Sequence, residues 1–252
     1  MPPKQSQENA GVSIASAKSP DEEGAVYVVA VPIGHPDDLT LRALATLKSV
    51  DLIASEDPNM TQQLLAHHRI SATVTSYGPV NVKEKVAVLL QRVRQGARIA
   101  IVVDTGSPLI ADPGALLVTE ASAQGTRVIP IPGPSAAITA LTVAGFSCES
   151  FYFCGQLPST GPHLTRRVAD AVKMKAPTVA YGTRRTAVRA LETLVRLAPR
   201  RLVVAACDLT KPNEVIIRGT AYEVSRQLSD TAGEEITIVL SGRKWRPTKH
   251  AD

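Results

Sequence analysis

Short apolar runs alternate with segments of helical periodicity along the first half of the chain. Buried strands are predicted for the apolar runs, which are bounded by turn residues, at 25–31, 51–55, 97–103 and 126–131. Helices are predicted between them, at 39–50, 61–70, 82–96 and 114–125. Strands that alternate with helices in this way indicate a mostly parallel sheet with helices on its faces.

A second α/β series follows a helix that is predicted within 132–145. Its strands are predicted at 149–155, 176–182, 200–209, 214–219 and 234–242, and its helices at 186–198 and 220–230. The run 157–167 carries proline, glycine and serine and is predicted to be a flexible loop. The chain is therefore expected to be an α/β protein of two lobes, 25–132 and 133–242, between a disordered tail at 1–24 and a basic tail at 243–252.

Composition places the chain among soluble globular proteins of a reducing compartment. Of its 252 residues, 44% are hydrophobic and 20% are charged. No apolar run is long enough to cross a membrane, and the polar start lacks the apolar region of a secretory signal. Three cysteines without metal-ligand spacing suit the cytoplasm. We therefore expect a cytoplasmic protein without a membrane segment.

Basic residues are concentrated in the second half of the chain. Residues 1–125 carry a formal charge of −3, whereas residues 126–252 carry +8. A basic half of this kind is able to hold a polyanion such as RNA. Solvated helical faces explain the same excess of charge, and the charge alone does not separate the two interpretations.

Three polar loops follow predicted strands of the first lobe, at 32–38, 55–59 and 104–114. In open α/β sheets, ligands bind beyond the carboxyl ends of the strands. Gly34 and Gly106 would let backbone approach a ligand closely, and each loop carries carboxylates, among them Asp104 and Asp112. The segment at Asp112 also reads as a simple turn before the next helix.

Several common chemistries have no support in the sequence. The chain lacks the glycine-rich loops that bind dinucleotides and nucleotide phosphates, and it lacks the G-x-S-x-G elbow of serine hydrolases. Its five histidines form no H-E-x-x-H motif and pair with no cysteine, so no metal site is expected. His67 and His68 lie on a predicted surface helix and are expected to be solvated.

The polar loops resemble those of the tetrapyrrole methylase superfamily. The resemblance rests on YVVAVPIGHPDDLTLRALATLKSVDLIASEDPNMTQQLL, DTGSPLIADPG and PIPGPSAAITAL, with weaker support from CDLTKPNEVIIRGT and GEEITIVLSG. It covers the chain from about Tyr27 to Gly242. Within the superfamily, these segments look closest to the enzymes that methylate the ribose 2′-hydroxyl of a cytidine in small-subunit ribosomal RNA.

The resemblance implies that S-adenosylmethionine binds in the cleft between the two lobes and that no metal is needed. The residues that match the family's cofactor contacts are Pro32, Ile33, Gly34, Asp104, Gly106, Ser107, Pro108, Leu109, Ile110, Thr139, Ala140, Tyr181, Ala206 and Gly233. Glu56 or Asp57 would accept the proton of the hydroxyl or orient the substrate. Both of these carboxylates equally suit the start of the next helix as capping residues.

The resemblance also implies partners, namely small-subunit ribosomal RNA or the small ribosomal subunit, and a second copy of the chain in a homodimer. Arg184, Arg185 and Lys211 would contact the RNA. Where the family carries E-D-T-R, this chain has Asn59 in place of the arginine, and Gly182 and Cys207 replace a glutamate and a second arginine. Asparagine and cysteine lack the planar fork with which arginine holds phosphate.

These departures keep two alternatives open. One is a C-methyltransferase acting on a tetrapyrrole or another small molecule, and the other is a non-catalytic relative that binds the cofactor or RNA.

Overall fold

Two five-stranded sheets, each covered by helices, make up the computed structural model, which describes residues 24–78, 82–112, 114–159 and 161–243. The expected tails therefore lie outside the described residues, except for Gly24 and Arg243. None of the helices within the described ranges combines the length and apolar character needed to cross a bilayer.

The first sheet is parallel throughout, as the alternating pattern predicted. Its strands are β1 (Ala25–Val29), β2 (Leu52–Ser55), β3 (Val74–Ser76), β4 (Arg98–Val102) and β5 (Arg127–Ile131). They are ordered β3-β2-β4-β1-β5. The helices between them are α1 (Leu41–Ser49), α2 (Pro58–His67), α3 (Val82–Arg94) and α4 (Ala115–Ala123), with a 3₁₀ turn at Pro36–Asp38. Apolar side chains pack α1 and α2 against one face and α3 and α4 against the other.

The second sheet is mixed. Its strands are β6 (Tyr152–Gln156), β7 (Thr178–Thr183), β8 (Leu202–Cys207), β9 (Val215–Thr220) and β10 (Glu235–Leu240), in the order β6-β7-β10-β8-β9. Only β6 and β7 pair in parallel. The helices of this half are α5 (Ala136–Thr142), α6 (Gly161–Lys173), α7 (Arg184–Leu197) and α8 (Ala221–Asp230). Helices α6, α7 and α8 cover one face of the sheet, and α5 packs on the other.

Two sequence predictions about local structure were wrong. Helix α6 occupies much of the run that was predicted to be a loop, because Leu164 and Val168 bury their side chains against the second sheet. The turn-forming residues of that run precede the helix or occupy its first turn, where they are tolerated. Strand β3 was missed, since three residues of moderate burial give no measurable period.

The loop after β1 anchors the first lobe on the second. Ile33 is 5% exposed and packs with Val179, Val204 and Val239 of the second sheet. The backbone N–H of His35 donates to the Thr210 hydroxyl at 2.9 Å. Between them Gly34 presses on the segment after β8: a Cβ atom there would lie 2.5 Å from the carbonyl oxygen of Leu209. Only glycine allows this approach.

We predict that Gly34→Ala weakens the contact between the lobes. The added methyl group meets backbone that has no room to retreat, so the free energy of unfolding should fall by about 1–3 kcal/mol. Gly161→Ala is the matched control, because nothing lies within 4 Å of a Cβ atom at that position. Urea unfolding of both variants checks the prediction, and equal stability of the two would contradict it.

Candidate active site

A cleft between the two sheets collects residues from both lobes and from the junction that joins them. The first lobe contributes Ile33, Thr105, Gly106, Ser107, Ile110 and Asp112, and the junction contributes Ser135 and Ala136. The second lobe contributes Gln156, Tyr181, Gly182, Thr183, Ala206, Leu209 and Glu234–Thr237. Polar and apolar side chains line the cleft in similar measure, and a concave site with convergent polar groups is typical of a site for a small organic ligand.

The loop after β4 holds an unusual backbone against this cleft. Gly106 has φ +77°, and its carbonyl oxygen accepts a hydrogen bond of 2.9 Å from the N–H of Val31. Leu109 and Ala111 adopt φ values of +71° and +70°, which non-glycine residues rarely do. Asp208 and Thr210, in the loop after β8, share this conformation. Such strained residues cluster at ligand sites, where the surrounding fold enforces them.

Three carboxylates meet at the carboxyl ends of β2 and β4. Burial raises the pKa of Glu56, and the negative charges of Asp104 and Asp112 raise it further. Burial also raises the pKa of Asp104 and of Asp112. Asp112 lines the cleft, Asp104 lines the groove beside it and Glu56 lines neither, so the carboxyl edge next to the cleft holds negative charge that water does not fully screen.

Asp57 has a structural task at the same edge. Its Oδ1 accepts from the backbone N–H groups of Asn59 and Met60, at 2.8 and 3.4 Å, and so caps the N-terminus of α2. Its own N–H donates to Oδ1 of Asp104 at 3.1 Å. Of the two carboxylates singled out in the sequence, Asp57 therefore fixes the loop and Glu56 carries the raised pKa.

Tyr181 joins the second sheet to the lobe junction. Its hydroxyl oxygen accepts from the N–H of Ala137 at 3.1 Å, at the start of α5. The Phe153 ring meets the tyrosine ring edge to face, with centroids 4.8 Å apart. This places the ring of Tyr181 as a fixed wall of the cleft.

Asp208 organises the opposite wall from within the fold. Its side chain is nearly inaccessible, and Oδ1 accepts from the backbone N–H groups of Glu234 and Glu235 at 3.3 and 3.1 Å. Asn213 donates to the other oxygen. Burial opposes ionisation of Asp208, but these hydrogen bonds and Lys211 together hold its pKa below the usual range. The carboxylate stays charged and shapes the turn before β10.

The three cations assigned to RNA contact occupy different environments. Arg184 donates to the carbonyl oxygen of Ser229 at 2.8 Å, so its guanidinium tethers α7 to α8. Lys211 lies 3.0 Å from Glu235 and 3.7 Å from Asp208. Arg185 is exposed at the start of α7, close in sequence to the cleft residue Thr183. Of the three, Arg185 is the one most available for phosphate.

Several residues matched to cofactor contacts lie beside the main cleft. An adjoining groove takes Pro32, Gly34 and Asp104, and it shares Ile33, Thr105 and Glu235 with the cleft. The remaining matched residues line neither the cleft nor the groove. Pro108 is buried, and the Leu109 side chain packs toward Gly114. The Thr139 hydroxyl donates to the carbonyl oxygen of Ser135, Ala140 lies in the core, and Gly233 packs closely against Asp208.

Sequence reasoning missed several residues that line the cleft. They are Thr105, Ser135, Ala136, Gln156, Thr183 and the segment Glu234–Thr237. The glutamates follow the glycine that precedes β10, so their position at a strand start was the only available signal. Gln156 carried no sequence signal, because it lies at the end of β6, where the pairing with β7 changes register.

Two of the substitutions relative to the family pattern are explained by packing. Cys207 is fully buried in the core beneath α7 and α8, where burial raises the pKa of its thiol to about 11. It has no access to a substrate. At Gly182, a Cβ atom would lie 2.7 Å from the Thr186 hydroxyl and 3.1 Å from Leu157, so a side chain there requires rearrangement.

The fold and the cleft together define a two-lobed α/β protein with an acidic ligand site between its lobes. The family model of the Tetrapyrrole (Corrin/Porphyrin) Methylases matches residues 25–225. The chain belongs to this family, as its loops indicated. It is therefore a methyltransferase whose cofactor is S-adenosylmethionine.

Relatives with 34–39% sequence identity to this chain share one name. The chain is 38% identical over 223 residues to a ribosomal RNA small subunit methyltransferase I from Halalkalibacterium halodurans, covering 88% of this chain and 77% of the relative. The protein of that name from Thermotoga maritima is 35% identical, with 88% and 100% covered. Among solved structures, a cobalt precorrin-4 methyltransferase superposes with a TM-score of 0.68 at 19% identity, covering 88% and 96%. That likeness shows the shared fold.

The cleft fits this cofactor chemically. A sulfonium and an ammonium group are positively charged, and Asp112, Glu234 and Glu235 bring carboxylates to the cleft. Ile33 and Leu209 offer apolar surface of the kind that a purine ring requires. Gly106 is required by its φ of +77°, and a Cβ atom at this position would lie 3.5 Å from the Ile33 side chain, which is ordinary contact.

We predict that the cap at Asp57 is separable from acid–base chemistry. Asp57→Ala should lower the free energy of unfolding by about 1 kcal/mol, because two N–H groups of α2 lose their acceptor, whereas Asp57→Asn should change it by less than about half of that. Thermal unfolding of the pair checks this. An alanine variant as stable as the asparagine variant would contradict the capping role.

The raised pKa of Glu56 predicts a stability that depends on pH. A folded carboxyl that holds its proton to higher pH than the unfolded chain makes the protein less stable as pH rises from the usual carboxyl range through the raised pKa. Glu56→Gln should therefore be more stable than the parent at pH 7, and this advantage should vanish near pH 4. Urea unfolding at both pH values tests it, with exposed Glu192→Gln as the control; a variant that is less stable at pH 7 would refute it.

Proposed function

We propose that this protein transfers the methyl group of S-adenosylmethionine to the ribose 2′-hydroxyl of a cytidine in small-subunit ribosomal RNA. The observation that carries the proposal is the extended similarity to proteins named ribosomal RNA small subunit methyltransferase I, at 34–39% identity over most of the chain. The solved tetrapyrrole methylases are only 19–20% identical, which favours RNA over a tetrapyrrole as the acceptor.

The cleft supplies what such a transfer needs from the protein. When bound, the cofactor provides an electrophilic methyl group on sulfur. The protein must align the acceptor hydroxyl with it and take up the proton that the hydroxyl loses. Glu56 is our candidate for the proton acceptor: it does not line the cleft itself, but it follows β2 beside the groove residue Asp104, its pKa is raised, and its carboxylate is not used as a helix cap.

The RNA is proposed to approach across the second lobe. The excess of basic residues lies there, and Arg185 is exposed beside the segment Gly182–Thr183, which lines the cleft. The acidic cleft itself repels phosphate, so phosphate contacts should lie around it, with a single nucleotide entering.

A homodimer and a cytoplasmic location complete the proposal. Exposed apolar side chains such as Leu41, 85% exposed, and Ile138, 49% exposed, are compatible with a contact between two copies. Small ribosomal subunits as substrates imply the cytoplasm. Light scattering of the purified chain tests the dimer directly, and a monomer at micromolar concentration would exclude it.

The decisive experiment is methyl transfer to small subunits from cells that lack their own ribose methylase. With labelled cofactor, nuclease digestion should yield one 2′-O-methylated cytidine.

Glu56→Gln should bind S-adenosylmethionine normally, yet lower the rate of transfer at least about a hundredfold, because a general base contributes that much. Asp57→Asn is the control and should keep most of the rate. Transfer at the parent rate by Glu56→Gln would remove Glu56 from the mechanism, and cofactor binding without any RNA product would overturn the proposal.

Arg185→Gln should weaken binding of the small subunit and reduce the slope of log binding constant against log salt concentration by about one, since one phosphate contact is lost. Arg200→Gln is the matched control, since Arg200 is exposed beyond the far end of α7, about 20 Å away along a helix of 14 residues. Binding of both variants is measured at salt concentrations from about 50 to about 200 mM, a range wide enough to resolve the slope of affinity against salt. Equal slopes for the two variants would argue against a phosphate contact at Arg185.

A further inference from the structure

Asp37, His67 and His68 form a compact group at the rim of the groove that adjoins the cleft. One possible ligand atom from each of the three lies within 4.8 Å of the other two. Nε2 of His67 is 2.8 Å from Oδ1 of Asp37, and the two imidazole rings meet edge to face with centroids 4.8 Å apart. The group was not expected, because its members are 30 residues apart and match no metal motif.

The end of α2 is what brings the two histidines together. Successive residues inside a regular helix point about 100° apart, so neighbouring side chains diverge. Helix α2 ends at His67, and His68 leaves it with φ −89° and ψ +8°. His68 also contacts the 3₁₀ turn, since its Nε2 lies 3.0 Å from the carbonyl oxygen of Pro36. Both rings therefore face the turn that carries Asp37.

The charge of Asp37 is offset only by imidazoles. Within the described ranges its one ion pair is with His67, and no lysine or arginine lies within ion-pair distance.

We propose that Asp37, His67 and His68 bind one divalent metal ion of the Zn²⁺ class. Two imidazole nitrogens and one carboxylate oxygen are ligands that Zn²⁺ prefers, whereas Mg²⁺ and Ca²⁺ favour oxygen alone. Two ligand atoms of a tetrahedral zinc ion lie about 3.3 Å apart, so the 2.8 Å pair needs to open by about half an ångström, and atoms as far apart as 4.8 Å need to close by about 1.5 Å. The side chains of His67 and Asp37 are 46% and 67% exposed, which leaves an entry path and a fourth position for water.

A metal here would link the 3₁₀ turn to the end of α2. Pro36 and His67 both line the groove beside the cleft, so the bound ion would fix the rim of that groove. The proposal concerns binding and local rigidity, and it is independent of which acceptor is methylated.

Zn²⁺ titration of the chelator-treated full chain, followed by calorimetry, tests the site. One Zn²⁺ per chain is expected, and Asp37→Asn, His67→Gln and His68→Gln should each weaken binding at least about tenfold. His163→Gln, at an exposed histidine on α6, is the control and should bind as the parent does. Without metal each variant loses a contact of the parent, with Pro36 for His68 and between Asp37 and His67 for the other two, so each is compared with its own metal-free unfolding temperature.

Two further readouts keep the test decisive. Zn²⁺ should raise the melting temperature of the parent and of His163→Gln but not of the three ligand variants. Co²⁺ should give the visible absorption of a tetrahedral nitrogen–oxygen site, lost in the same three variants. Binding that is absent, or that survives unchanged in all three variants, would overturn the proposal.

Discussion

The contact between the loop after β1 and the loop after β8 determines whether this protein has a site. Ile33 completes the core of the second lobe, and Gly34 allows its backbone to touch Leu209 and Thr210. Neither lobe alone presents all of the residues that line the cleft, since six come from the first lobe and most of the others from the second. Because Ile33 is at once a core residue and a wall of the cleft, the packing that joins the lobes also sets the width of the site. Stability and ligand geometry are therefore coupled through one short loop.

Backbone strain is concentrated in two loops beside the cleft, those after β4 and β8. Of the five non-glycine residues with positive φ in the described part of the chain, four lie in the loops after β4 and β8: Leu109, Ala111, Asp208 and Thr210. The surrounding fold over-determines them. Asp208 shows how, since its buried carboxylate binds two backbone N–H groups of the turn before β10 while its own backbone is left-handed. Such a loop costs folding free energy, and the hydrogen bonds around it offset part of that cost.

The sequence predicts elements with a clear period and the loops with a clear motif. Alternating strands and helices predicted the first sheet, and DTGSPLIADPG located the carboxylates at 104 and 112 correctly at the carboxyl edge. The strand pairing of the second sheet could not be predicted in this way. Its mixed topology, and the position of Glu234 and Glu235 in the cleft, depend on which strands pair in the folded protein. The sequence also did not predict which of Glu56 and Asp57 caps α2, because adjacent carboxylates cannot be distinguished until the hydrogen bonds of the helix start are known.

The charge distribution imposes an order on binding. Glu56, Asp104 and Asp112 carry raised pKa values because burial weakens their solvation and, for Glu56 and Asp112, negative neighbours add to the effect. Such a cleft repels a polyanion and attracts a cation. A positively charged cofactor that entered first would weaken this repulsion. The acceptor nucleotide would then meet a less negative site, with phosphates held outside by the basic second lobe. Cofactor before nucleic acid is the sequence of events that this electrostatic arrangement favours.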